Sequence, residues 1–288
     1  MEDMKTIQWF PGHMARTRRK IKENLSLVDV VVEILDARIP LSSRNPDLGS
    51  IVERKPRVAI LNKADLADAN ATAKWITWFK SNGIPALAVD CKSGKGMNQF
   101  LPLLRETLSD KIAAWEQKGM TNRAIRVMVV GIPNVGKSSF INRMVKGGKA
   151  KVEDRPGVTR QNQWFVIDGG AQLLDTPGVL WPKLDDQTAA QKLAYTGAVR
   201  DEILDSEELA WGLLKTLMPT YAPAIAERYK LDVNTLSDDA WELLQQIGRK
   251  RGMLISGGEV DTLRASVMLL DEYRGGKLGR ISLEWPER

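Results

Sequence analysis

Gly131-Ile132-Pro133-Asn134-Val135-Gly136-Lys137-Ser138 decides how the rest of the chain is read. The stretch has the spacing G-x-x-x-x-G-K-[ST]. It follows the apolar, β-branched run 125–130 and precedes a helix-like segment that begins near Lys137. In a strand–loop–helix setting the glycines let backbone N–H groups converge on phosphate oxygens, and the helix N-terminus adds the positive end of its dipole. The cradle expected here is Asn134, Val135, Gly136, Lys137, Ser138 and Ser139. Lys137 would reach the β/γ oxygens, and Ser138 would hold Mg²⁺.

A length of 288 residues suggests two domains, and 43% apolar content is enough for real cores. No window approaches the roughly 18 apolar residues of a membrane span, and the N-terminus has no signal-peptide core. No membrane association is expected. Cys91 is the one cysteine, which excludes an internal disulfide and points to a reducing cytoplasm. The net charge of +6 is unevenly placed. Residues 1–186 carry 29 Lys and Arg against 20 Asp and Glu, whereas 187–288 carry 13 against 16. A polyanion partner fits the first two thirds, and surplus lysine that only serves solubility fits as well.

The chain opens with Trp9-Phe10-Pro11-Gly12-His13-Met14, a Pro-Gly turn behind two aromatics, and enters a basic helical segment with Arg16, Arg18, Arg19, Lys20 and Lys22. That segment is a solvated face or a phosphate-contacting one. Strands are expected at 30–36, 58–61 and 86–89, with helix-like segments at 69–82 and 97–115, the spacing of a parallel βαβ sheet. A polar linker at about 111–123 closes this half.

The second strand runs into Asn62-Lys63-Ala64-Asp65. A carboxylate at Asp65 can accept both the N1–H and the exocyclic amine of guanine, a pair that adenine lacks. Asn62 would brace the neighbouring loops, and the stem of Lys63 would lie along the base. Cys91-Lys92 after the third strand fits a second base loop, in which the N–H of a small residue faces the base oxygen. Beyond the phosphate loop, Thr159 in a polar stretch offers a hydroxyl to complete a magnesium shell once a γ-phosphate is present. Short strands at 164–167 and 172–174 lead into Asp175-Thr176-Pro177-Gly178. Asp175 suits a water-mediated Mg²⁺ contact, and the Gly178 N–H suits the γ-phosphate.

From about Gln187 the texture is helical. Ser206-Glu207-Glu208, Ser237-Asp238-Asp239 and Asp261 read as capped helix starts. The third helix would place Leu263, Val267 and Leu270 on its inner face. Arg249-Lys250-Arg251 is the one basic cluster of this part and a candidate RNA contact.

The order of these motifs is unusual. The guanine motifs precede the phosphate motifs, with three strands before the phosphate-loop strand and two after it. A doubly wound sheet tolerates such a cut and rejoining when its termini lie close. The order, the Trp9–Met14 opening, Asp36-Ala37-Arg38-Ile39-Pro40 and the helical C-terminal part together resemble the ribosome biogenesis GTPase A family of circularly permuted GTPases. The fold expected is α/β: a circularly permuted P-loop GTPase domain with a doubly wound, mostly parallel sheet at 1–185, its basic segment at 1–25, and a smaller all-helical domain at 186–288. The resemblance implies a GTPase that binds GTP and GDP, acts in late assembly of the large (50S) ribosomal subunit, contacts its rRNA and is activated by the particle. A monomer is expected. The alternative is a nucleotide-dependent RNA-binding module whose slow hydrolysis is incidental.

Many GTPases orient the attacking water with a glutamine directly after D-x-x-G. Here that position is Val179, and the family resemblance implies a hydrophobic residue there. The sole imidazole, His13, then becomes the candidate for positioning the water, alongside Lys137 and Thr159 as catalytic groups. Asn134 is either a loop-bracing amide or a ligand for K⁺ between the phosphates, where the cation would stand in for an arginine finger.

Overall fold

The structure, a computed structural model, describes residues 19, 21–52, 55–146, 163–176, 186–199 and 205–287. Six strands form one sheet: β1 Val30–Asp36, β2 Arg57–Asn62, β3 Ala86–Ala88, β4 Ile125–Val130, β5 Trp164–Ile167 and β6 Ala171–Asp175. Their order is β3-β2-β1-β4-β6-β5. All neighbours are parallel except β5 and β6, which pair as an antiparallel hairpin. Every residue of β1 is buried, as a central parallel strand covered on both faces requires. The apolar, β-branched composition of β1 and β4 is the sequence form of that burial.

The helices of the sheet unit are α1 Leu48–Val52, α2 Ala69–Ser81, α3 Phe100–Thr107, α4 Ser109–Gln117 and α5 Lys137–Lys146. Asp68 caps α2 by accepting from the Ala71 N–H. Helix α5 is held by Phe140, which meets Phe100 of α3 edge to face at 5.0 Å. Both rings are fully buried, so the helix that carries the phosphate-loop lysine has a rigid seat.

Two expectations about this half change. The helix-like segment 97–115 is interrupted: buried Leu108, at φ −111° and ψ 16°, separates α3 from α4. The stretch 111–123 is not a free linker, because helix runs to Gln117 and its charges are fastened. Asp29, just before β1, takes Lys111 at 3.1 Å and Arg123 at 3.2 Å, while Arg123 stacks over the Trp115 ring at 3.9 Å. Lys111 and Arg123, at the two ends of this stretch, are counter-charges for one carboxylate.

Residues 186–199 and 205–283 form a second compact unit, which contains α6 Gln187–Tyr195, α7 Ser206–Tyr229, α8 Ala240–Lys250 and α9 Thr262–Arg274. Aspartates cap all four: Asp186, Asp205, Asp239 and Asp261 each accept from backbone N–H groups of the first turn. Ser206 is thus the first residue of its helix and not the cap. Pro219 and Pro223 accompany a kink at Tyr221 in α7. Arg228 forms a two-pronged pair with Glu272, and Arg251 lies 3.7 Å from the same carboxylate and 5.2 Å from the Tyr229 ring. Arg249, Lys250 and Arg251 are all exposed, and Arg251 alone of the three has this acidic partner.

On α9 the expected inner face is rotated. Leu263 is 56% and Val267 44% exposed, while Ala265, Ser266, Leu269, Leu270 and Tyr273 are buried. Small residues set this orientation, since a Cβ on Gly248 of α8 would lie 3.4 Å from that of Ala265. The C-terminus also departs from the expected division at 186–288: residues 284–287 pack with the sheet unit.

Replacing Phe100 with Ala should lower unfolding stability by about 3–5 kcal/mol, the usual loss for a buried aromatic. Urea unfolding monitored by circular dichroism measures it.

Candidate functional site

The parallel strands β1, β2 and β4 bring their C-terminal ends together, and the expected site residues lie there. The phosphate loop leaves β4 at Gly131, and α5 begins at Lys137. Asn134 has φ 61° and Gly136 φ 96°, left-handed values that asparagine and glycine tolerate best. At Gly136 a side chain is excluded for a second reason: a Cβ would lie 2.3 Å from the Asn62 amide nitrogen. Ser138 and Ser139 are exposed on the first turn of α5.

Asn62 is the junction of the site. Its amide nitrogen donates to the Val135 carbonyl at 2.8 Å, and its amide oxygen accepts the Cys91 N–H at 3.2 Å. Three loops far apart in sequence are thereby fixed to a side chain that is itself buried. The bracing expected of Asn62 has a definite geometry. The role expected of the Cys91 N–H changes, because that donor is engaged by Asn62 and not directed at a base oxygen. Cys91 is buried, and burial pushes its thiol up to about 12, which makes it a packing group. Asp90 shapes the remainder of this loop by accepting from the Lys92 N–H at 2.8 Å and the Ser93 N–H at 3.2 Å.

Lys63 occupies a left-handed conformation at φ 60°, and its ammonium lies 3.0 Å from Asp36. Asp36 also takes two bonds from Arg38, Nε at 2.9 Å and Nη2 at 2.8 Å. Burial alone would raise the Asp36 carboxyl, but Arg38 and Lys63 outweigh it and hold the group well below the usual carboxylate range. This pairing accounts for Asp36-Ala37-Arg38 next to the base loop, and the motif reading had given those residues no role. Asp65 is exposed, without a hydrogen bond or ion pair among the described residues.

Lys137 and Asp175 are the charged groups at the phosphate end, and each feels the other's charge. Burial lowers the Lys137 pKa, against the pull of Asp175. Burial raises that of Asp175, against Lys137 and the Thr176 N–H. Asp175 Oδ1 is buried and lacks a hydrogen-bond partner among the described residues. A carboxylate in that state fits a cation or its bound water, and would drop back in pKa on meeting one. Thr176 turns inward and donates to the Val129 carbonyl at 2.6 Å, which locks the end of β6 to the phosphate-loop strand. His13, Thr159, Gly178 and Val179 lie outside the described residues.

A phosphate loop, a guanine-type N-K-x-D loop and a D-x-x-G strand end around one sheet define a P-loop GTPase, with the base motifs permuted to the N-terminal side. A sequence model described as 50S ribosome-binding GTPase matches residues 126–213. Over 281 residues the chain is 46% identical to Ribosome biogenesis GTPase A of Bacillus cereus, covering 98% of this chain and 94% of that protein. A solved structure of GDP-bound YlqF superposes with a TM-score of 0.66 at 30% identity, covering 94% of this chain and 100% of that one. GNP-bound YlqF from Thermotoga maritima gives 0.63 at 30% identity, with 94% and 99% covered. The chain belongs to the ribosome biogenesis GTPase A family.

Two substitutions test the site's construction. Gly136→Ala should displace Asn62 and weaken GDP binding by about tenfold or more, the cost of a lost buried hydrogen bond together with backbone strain; calorimetric titration reads it. Asp36→Asn should cost about 3–5 kcal/mol by leaving Arg38 buried without its counter-charge. Because the folded pKa of Asp36 is depressed, its stabilisation is full above the ordinary carboxylate range and is lost as pH falls from that range down toward the depressed folded value. The stability gap between the wild type and Asp36→Asn should accordingly narrow in acid unfolding profiles.

Proposed function

We propose that this GTPase binds GTP through the residues gathered by Asn62 and hydrolyses it while acting on the large ribosomal subunit and its rRNA. The observation that carries the reading is the Asn62 bridge, which ties the base loop at Lys63–Asp65 to the phosphate loop at Val135–Gly136. Asp65 accepts the N1–H and amine of guanine, and the stem of Lys63 lies along the ring. The loop amides from Asn134 to Ser139 and the ammonium of Lys137 hold the phosphates. GDP stays on the same cradle after the γ-phosphate leaves.

The residues present fit a magnesium ion: Ser138 at the start of α5, and Asp175 through water, on the strength of its unpartnered Oδ1. Mg²⁺, when bound, neutralises charge on the β and γ oxygens. Thr159 is proposed as the further hydroxyl of that shell, and the Gly178 N–H as a γ-phosphate donor. Partial desolvation of Lys137 strengthens its attraction for phosphate, because a charge in a half-buried site is poorly screened. Val179 can neither donate nor accept, so water positioning falls to His13. Asn134 is the proposed K⁺ ligand. It is exposed and has a left-handed backbone conformation.

The relatives' names support the ribosomal setting: the Bacillus cereus protein is a ribosome biogenesis GTPase. The 1–186 excess of basic residues supports contact with rRNA. Among the described residues no helix is long and apolar enough to cross a membrane. We place the protein in the cytoplasm as a monomer.

Purified protein alone should turn GTP over slowly, and isolated large subunits should raise the rate by about tenfold or more. Unchanged turnover would favour the RNA-binding module over the particle-triggered enzyme. His13→Ala should abolish most of the stimulation, and a fully stimulated variant would remove His13 from the mechanism. Asp65→Asn should weaken GTP and favour xanthosine nucleotides; unaltered GTP affinity would contradict the base assignment.

A further inference from the structure

The C-terminal residues of the sheet unit are wired to the base loop. Glu284 is buried although it lies next to the chain end. Its Oε2 accepts the Leu41 N–H at 2.7 Å, its Oε1 accepts the Ser42 N–H at 3.2 Å, and the Ser42 hydroxyl donates to the same oxygen. Its backbone carbonyl accepts the indole N–H of Trp75 at 3.0 Å. Lys74 of α2 lies over the next side chain, Trp285, at 5.1 Å from the ring centroid.

Leu41 and Ser42 belong to the turn that follows β1. Ser43 N–H bonds back to the Ile39 carbonyl at 2.9 Å, which closes the turn on itself. The Ser43 hydroxyl oxygen then accepts the Asp36 N–H at 3.0 Å. Asp36 in turn holds Arg38 and the ammonium of Lys63. Each link is a hydrogen bond or ion pair involving a buried group, so displacement at one end is poorly absorbed between them.

We propose that Glu284 is a positioning residue for guanine recognition: by fixing the 39–43 turn it sets Asp36, and through Asp36 the conformation of Lys63 and the aim of Asp65. This rests on the reading that Lys63 and Asp65 receive the base. The phosphate loop has no member in this chain of bonds, so the effect of Glu284 falls on the base end of the nucleotide.

The test compares GDP with inosine diphosphate, which lacks the exocyclic amine that Asp65 would accept. Full-length Glu284→Ala should raise the Kd for GDP by about tenfold, the effect of losing hydrogen bonds to a charged group. It should raise the Kd for inosine diphosphate by less, so that discrimination between the two falls. Glu284→Gln, which keeps one acceptor oxygen, should lie between the wild type and Glu284→Ala. Trp75→Phe removes the indole bond to the Glu284 carbonyl, along with part of the buried ring's packing, while leaving the Glu284 carboxylate in place; it should shift discrimination in the same direction, which keeps the test open if Glu284→Ala folds poorly.

Equal weakening of both nucleotides in all three variants would show a general structural role and overturn the proposal. So would unchanged affinities. Asp65→Asn, measured with GDP and xanthosine diphosphate, separates the two layers. If it switches preference while the Glu284 variants leave discrimination intact, only the positioning proposal fails. If it does not switch preference, the base-site reading fails, and the proposal with it.

Discussion

The site depends on one carboxamide. Asn62 bonds through nitrogen to the Val135 carbonyl and through oxygen to the Cys91 N–H, and both of its polar ends are thereby used inside a buried setting. The two halves of the nucleotide site lie on opposite sides of the 111–123 connection, and a side chain must join what the covalent order separates. Gly136 is the complement of Asn62, since a Cβ there would lie 2.3 Å from the amide nitrogen. The two residues belong to different motifs, yet each makes sense only beside the other.

The second constraint is electrostatic. Asp36, Arg38 and Lys63 place three charges where water is scarce, with side-chain exposures of 3%, 1% and 25%. Such clusters contribute little net stability once desolvation is included, but they tolerate few alternative arrangements. Here the arrangement kept is the left-handed Lys63, a backbone state that an isolated lysine would avoid. The cluster converts burial into geometry at the start of the base loop.

The sheet was legible because it is a parallel core: β1 and β4 are continuous apolar runs, and each ends in a motif with its own chemistry. Motif order exposed the permutation, and the strand order β3-β2-β1-β4-β6-β5 agrees with it. Features that depend on distant partners were not legible. No local pattern announces that Glu284 meets Leu41 and Ser42, or that Lys111 and Arg123 share Asp29. Helical periodicity found α9 but misplaced its inner face, because Ala265 and Ser266 pack more closely than Leu263 and Val267 could. The Cys91 N–H was assigned to a base oxygen because a loop motif records donors, not which acceptor reaches them first.

Amide hydrogen exchange on Asn62→Ala, followed by mass spectrometry, tests the central claim most directly. Removing the carboxamide should speed exchange in two peptides at once, one spanning 86–96 with the Cys91 amide and one spanning 131–140 with the phosphate loop, while β1 remains protected. Unchanged protection in both peptides would mean that the loops hold their places without Asn62, and the account of the site as one assembly around that residue would be wrong.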